Sequence, residues 1–100
     1  MNVSTNENGS VVVTPDGRLD ALTSVQLEEA VNTVSEAKAV VLDFANVDYI
    51  SSAGIRQVLV TYKKALAMGA EFSVTNAGQQ VMNIFKMTGL DTRLDITPAE

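Results

Sequence analysis

The chain contains neither histidine nor cysteine. Those absences remove the usual nitrogen and sulfur ligands of a transition metal, and with them the Ser-His and Cys-His pairs that activate a nucleophile. Neither stand-alone hydrolysis nor a metal or cofactor is expected. The lack of cysteine is compatible with a reducing compartment. Basic residues are also scarce: seven Lys and Arg against twelve Asp and Glu give a net charge of -5, with no cluster to neutralise phosphates along a nucleic acid. Binding to DNA or RNA is not expected. No apolar run approaches the roughly 20 residues needed to cross a bilayer. The polar start, Met1 to Ser10, lacks the basic and apolar regions of a signal peptide. The expectation is a cytoplasmic protein without membrane insertion.

What is present is 100 residues with 46% hydrophobic content, enough for one core burying roughly 60 to 70% of the unfolded surface. One domain over residues 1–100 is expected, without repeats or linkers. It is organised around Val40 to Leu59. Val40, Val41 and Leu42 lead into Phe44 as a short β-branched run, read as a central strand covered on both faces. From Ile55 the apolar residues fall at 55, 58, 59, 62 and 66, the spacing of a helix with one buried face, so a helix starts near residue 53. Ser51, Ser52, Ala53 and Gly54 lie between strand and helix, where unpaired backbone N–H groups and the helix dipole favour an anion.

Upstream, residues 2 to 7 and Ser10 to Thr14 flank Asn8-Gly9 as two strands around a tight turn, the first at a sheet edge. Pro15-Asp16-Gly17 reads as a turn. Thr23 and Gln26 fit a capping box with Leu22 and Leu27 at the staple positions, which starts helix one at Thr23 or Ser24 with Leu27, Ala30, Val31 and Val34 inside. Downstream, Gly69 ends the second helix, and Phe72 and Val74 alternate with Ser73 and Thr75 as a strand. Asn76 and Gln79 form a second capping box, Val81, Ile84 and Phe85 face inward, and Gly89 stops the third helix with Leu90 folding back. Leu94 to Ile96 make a last strand, and Thr97 to Glu100 a frayed tail. The order β-β-α-β-α-β-α-β predicts an α/β fold, a mixed, largely parallel sheet of about five strands with helices packed on it. Sites in such folds lie beyond the carboxyl ends of strands, where Ser51 to Gly54 stand.

Gly17-Arg18-Leu19-Asp20, Val41-Leu42-Asp43-Phe44, Tyr49-Ile50-Ser51-Ser52-Ala53-Gly54-Ile55 and Met87-Thr88-Gly89-Leu90 resemble, in order and spacing over nearly the whole chain, the STAS domain of bacterial anti-sigma factor antagonists. The resemblance implies the STAS fold and a partner-switching role. An anti-sigma factor with serine kinase activity binds the unphosphorylated antagonist, frees a sigma factor, and is released once it has phosphorylated a serine that a serine phosphatase later restores. The family motif is usually Asp-Ser-Ser-Gly or Asp-Ser-Thr-Gly, with the acceptor two residues before Gly, which matches Ser52. Ser51 takes the place of the Asp and Ala53 that of the second hydroxyl residue, while Asp20 matches the acidic residue of the loop before helix one.

Arg56 places a cation in the first helical turn against the dipole, which calls for compensation. It can salt-bridge Asp48 or Asp20, or contact the kinase and then the phosphate. Gln57, Thr61 and Lys64 extend the same helix face as further partner contacts. Plainer roles are open for each residue: Ser51 or Ser52 as a helix cap, Asp20 as a turn residue, Tyr49 and Ile50 as core, Gly54 as a point of close packing. The alternative within the fold is a constitutive, unphosphorylated STAS subunit of a lipid-transport or stress-signalling complex. An enzyme using Ser52 as nucleophile lacks the glycines of Gly-x-Ser-x-Gly and would need Lys63 or Lys64 as base. No Gly-x-x-x-x-Gly-Lys-Ser/Thr loop supports nucleotide binding.

Overall fold

Val11 and Val13 are buried while Ser10, Val12 and Thr14 are half-buried, the two-residue period of a strand with one face on a core. In the computed structural model, which describes residues 1–100, that strand is β2 (Ser10–Thr14). It pairs antiparallel with β1 (Asn2–Thr5) around the Asn8-Gly9 turn, where Gly9 takes a φ of 89°. β1 is the exposed edge, as expected. The chain then forms β3 (Asp16–Leu19), α1 (Ala21–Asn32), β4 (Ala39–Asp43), β5 (Asn46–Ile50) and α2 (Ser52–Ala67). β6 (Glu71–Ala77), α3 (Gln79–Thr88), a 3-10 turn at Leu90–Thr92 and β7 (Asp95–Pro98) complete it.

The main sheet has five strands in the order β1-β2-β4-β6-β7, and every pair except β1-β2 is parallel. β4 is central, as its apolar run implied. It is not covered on both faces, however: Val40 and Leu42 are buried with Phe44 beyond them, whereas Ala39, Val41 and Asp43 are half-exposed. The register sets Val12, Val41 and Ser73 side by side on that second face, all half-exposed. The opposite face joins Leu27 and Val31 of α1, Val58 and Ala65 of α2, and Val81 and Phe85 of α3 in one cluster of 20 buried apolar residues. Phe85 stacks on Phe44 with ring centres 6.2 Å apart, which ties α3 to the end of the central strand.

Two strands were not foreseen. The Asp16-Gly17 turn signal and the polar Asn46 to Tyr49 segment pair with each other as a separate parallel ribbon, β3 with β5, shifted by a bulge between Gly17 and Arg18. Both strands are short and their partners distant in sequence, so neither carries a local signal strong enough to outweigh its turn residues. Helix one starts earlier than expected because Asp20, not Thr23, is its cap: Asp20 accepts from the N–H groups of Leu22 and Thr23, and Thr23 is the third residue of the box. Leu22 is therefore no staple and stands 73% exposed. Asn76 does not cap α3. It sits in β6 with a φ of 58° where the β6-β7 register shifts, donates to Asp43 Oδ1 at 3.0 Å, and leaves Gly78 at the cap position without a side-chain bond. The tail is not frayed as far as expected, since β7 extends to Pro98 and the Ala99 N–H reaches the Ala77 carbonyl at 2.8 Å. Gly69 and Gly89 do take left-handed conformations at the ends of α2 and α3. No helix is long and apolar enough to cross a membrane.

Candidate functional site

The ribbon that the sequence did not disclose builds the site. β3 and β5 run parallel, Leu19 opposite Ile50, and each passes directly into a helix through one capping residue: Asp20 for α1, Ser51 for α2. The ends are joined where the Ser51 N–H donates to the Leu19 carbonyl at 2.9 Å. Two helix N-termini are thereby held side by side, and α1 packs on α2.

Each cap is specified locally. Asp20 Oδ1 accepts from Leu22 N at 3.1 Å and Thr23 N at 3.2 Å, while its own N–H donates to Thr23 Oγ1 at 2.8 Å. The single proton of the Thr23 hydroxyl lies between the Arg18 carbonyl, at 2.6 Å, and the Asp20 carboxylate, at 3.1 Å. The Thr23 N–H foremost holds the Asp20 carboxyl below its ordinary value of 3.8; the Thr23 hydroxyl, the Leu22 N–H and the charge of Arg18 add to this, against an opposing desolvation. Asp20 is therefore a fixed negative charge at neutral pH. On α2, Ser51 Oγ accepts from Gly54 N at 3.3 Å, so Ser51 is the cap and Ser52 the first helical residue, exposed to solvent. Ala53 is half-buried beside it.

Gly54 is required by contact. A Cβ there would stand 2.4 Å from the Leu19 carbonyl oxygen and 2.7 Å from Ile50 Cγ1, so only glycine lets α2 lie this close to the ribbon. Arg56 is exposed one turn into the helix. The charge acting on Asp20 comes from Arg18.

Of the residues expected at the site, Asp20, Ser51, Ser52, Ala53, Gly54 and Arg56 are brought together by the two helix starts. Gln57 and Thr61 are not available to a partner: they are 6% and 0% exposed, and the Thr61 hydroxyl donates to the Gln57 carbonyl at 2.8 Å. The buried line of α2 is Gly54, Gln57, Val58, Thr61 and Ala65, whereas Ile55, Leu59 and Tyr62 are half-buried and Leu66 is exposed. The expected stripe is rotated towards the face on which Gly54 seats the helix against the ribbon, with Tyr62 set aside against Phe72 at 5.6 Å between ring centres. Lys64 is half-buried and lies twelve residues beyond Ser52, about 18 Å along the helix axis, outside the site.

Two residues of the surface were missed. Tyr49, read as core, is 37% exposed, and the Arg18 guanidinium carbon lies 4.3 Å from the centre of its ring. One regularity in the sequence pointed to them: each stands two residues ahead of a helix cap, Arg18 before Asp20 and Tyr49 before Ser51.

Comparison with known proteins gives a consistent picture. The chain is 29% identical over 86 residues to the anti-sigma-F factor antagonist RsfB of Mycobacterium tuberculosis, covering 84% of this chain and 70% of that protein. The crystal structure of an anti-sigma factor antagonist from Mycobacterium paratuberculosis superposes with a TM-score of 0.85 at 28% identity, over 97% of this chain and 83% of the other. The anti-sigma factor antagonist SpoIIAA in its unphosphorylated form shares the fold, with a TM-score of 0.76 at 18% identity over 95% of this chain and 85% of its own. The STAS domain model matches residues 2–100, and with the sheet order, the ribbon and the paired helix starts in place, the chain belongs to the STAS domain family.

Proposed function

We propose that this protein is an anti-sigma factor antagonist of the partner-switching kind, a cytoplasmic binding protein rather than an enzyme, with Ser52 as its phosphoacceptor. One observation carries the assignment: Ser51 takes the capping bond, which leaves Ser52 exposed at the first helical position. In the unphosphorylated form, Asp20, Ser51, Ser52, Ala53 and Arg56 face an anti-sigma factor with serine kinase activity, while the buried Gly54 seats the helix start behind them. Ser52 Oγ attacks the terminal phosphorus of a nucleoside triphosphate held by the kinase. The Oγ–P bond forms, the bond to the diphosphate breaks, and the hydroxyl proton passes to a base on the kinase. A serine phosphatase returns the hydroxyl form.

Electrostatics decide what the phosphate does. Close to two negative charges at a helix N-terminus gain about 0.3 to 2 kcal/mol from the dipole and free N–H groups, so the fold persists. The same charge set against an interface shaped for a neutral serine costs several kcal/mol, so the complex does not. Arg56, four residues after Ser52, contacts the kinase before transfer and pairs with the phosphate afterwards. The chain's net charge of -5 calls for basic groups on the kinase.

The test is intact mass and site mapping of the protein from its native cells, with Ser52→Ala alongside. A phosphate mapped to Ser52 and absent from the variant supports the switch. No phosphate under any growth condition, together with a stably copurifying partner, refutes it in favour of a constitutive STAS subunit in a lipid-transport or stress-signalling complex.

A further inference from the structure

We propose that Arg18 is the in-chain ligand of the phosphate on Ser52, and that it exchanges the Tyr49 ring for that phosphate when the switch is thrown; this rests on the reading of Ser52 as the acceptor. Arg18 lies opposite Tyr49 in the ribbon, with its guanidinium carbon over the exposed ring, 4.3 Å from the ring centre. A guanidinium carries five N–H donors, and a ring face beneath it leaves donors for an anion. Its backbone is fixed by strand pairing and by the Thr23 hydroxyl on its carbonyl at 2.6 Å. The bond from Ser51 N to Leu19 O, 2.9 Å long, joins the two strand ends, with Arg18 one residue before it on β3 and Ser52 one residue after it at the start of α2. In the parallel register Arg18 stands level with Tyr49, three residues ahead of Ser52, about 10 Å of chain at ~3.3 Å per residue, a gap that the long arginine side chain and a phosphoserine bridge from its two ends. The charge of Arg18 already acts on Asp20 at the same junction.

A cation over an exposed ring is held weakly, whereas a guanidinium fork on a phosphate makes two charge-assisted bonds. The phosphate thus draws Arg18 off the ring. Tyr49 is bared and the Arg18 charge is taken up by the phosphate, so the partner-facing surface changes in shape and charge without movement of the backbone. Arg56 approaches the same phosphate from the helix side, and Arg18 from the ribbon side.

The experiment uses the full chain with phosphoserine installed at position 52 by ligation or during translation, so that no kinase is needed. Phosphorus NMR follows the phosphoserine titration in the otherwise native protein and in Arg18→Gln, Arg18→Lys and Arg56→Gln. Proton NMR follows the Arg18 side-chain methylenes, which the Tyr49 ring shifts upfield. Arg18→Gln is expected to raise the phosphoserine pKa by about one unit, with Arg18→Lys between the two and Lys38→Gln, at the opposite end of the sheet, leaving it in place. The methylene shift is expected to vanish on phosphorylation. An unchanged phosphoserine pKa in Arg18→Gln, or methylenes still shifted by Tyr49 in the phosphorylated protein, overturns the proposal. Because the phosphate is installed synthetically, either failure leaves Ser52 standing as the acceptor, which native-cell mapping tests separately.

Discussion

Replacing Gly54 with alanine sets two effects of opposite sign against each other. Alanine in a helix interior is better than glycine by about 1 kcal/mol, which alone predicts a more stable protein. The added Cβ, however, lands 2.4 Å from the Leu19 carbonyl oxygen and 2.7 Å from Ile50 Cγ1, the first of these about 1 Å short of ordinary contact at 3.4 Å. Neither neighbour can withdraw: Leu19 and Ile50 are each 1% exposed, and the Leu19 carbonyl is also the acceptor for Ser51 N. The first turn of α2 must move instead, and forced overpacking of this kind costs about 1 to 3 kcal/mol. With an obstacle made of backbone, the steric cost takes the upper part of that range, and the net expectation is a loss of about 1 to 2 kcal/mol. For a domain of this size each kcal/mol lowers Tm by about 4 to 8 °C. Urea unfolding of Gly54→Ala should show a lower midpoint at unchanged slope, and hydrogen exchange at the Ser51 amide should quicken as its bond to Leu19 loosens. A variant as stable as the parent or more so, with Ser51 exchange unaltered, would refute the claim that this glycine sets the distance between α2 and the ribbon.

Gln57 Nε2 is buried without a hydrogen-bond partner, and removing such a group relieves a desolvation penalty of about 1 to 3 kcal/mol. Gln57→Leu should therefore leave the urea midpoint unchanged or raise it, and a loss above about 1 kcal/mol would contradict an unpaired amide. Asp20 has a lowered pKa in the folded state, so its contribution to stability is fully present above its ordinary value of 3.8 and is lost as pH falls through the folded value. The midpoint difference between the native protein and Asp20→Asn should shrink over that acid window, and a pH-independent difference would remove Asp20 from the linkage. At Asn76, where φ is 58° and the side chain bonds Asp43, alanine should cost about 1 to 2 kcal/mol and glycine clearly less. Equal midpoints for the two variants would contradict backbone strain as the cause.

Much of the main sheet was legible in residues 10–14, 40–44 and 72–75, because burial of one face imposes a two-residue period and β-branched residues suit it. The stops at Gly69 and Gly89 were legible too, since few residues other than glycine take positive φ at a helix end. The starts of α1 and α3 were not. Thr23 and Asn76 have good capping chemistry, but Asp20, one turn earlier, wins at α1, and a register shift in β6 takes Asn76 out of contention. Leu22 and Ser24 show how weakly composition settles which face of a helix is buried: the leucine is exposed and the serine is inside.

The sequence by itself determined the α/β class, the central strand, the strand-to-helix junction at Ser51 to Gly54, and, through resemblance, the STAS family and Ser52 as the residue to examine. These follow from short-range regularities, the periods of strand and helix and the conformational freedom of glycine, which act between residues a few positions apart. The tertiary structure alone decided that Asp16–Leu19 and Asn46–Ile50 pair into a ribbon, that two helices start side by side, that Ser51 rather than Ser52 is the cap, and that Gln57 and Thr61 face inward. Those features depend on contacts between segments some thirty residues apart. Pairing of Arg18 with Tyr49 and the seating of Gly54 on the Leu19 carbonyl exist only when the whole core brings the two segments together, because neither short strand has enough local preference to form without the other.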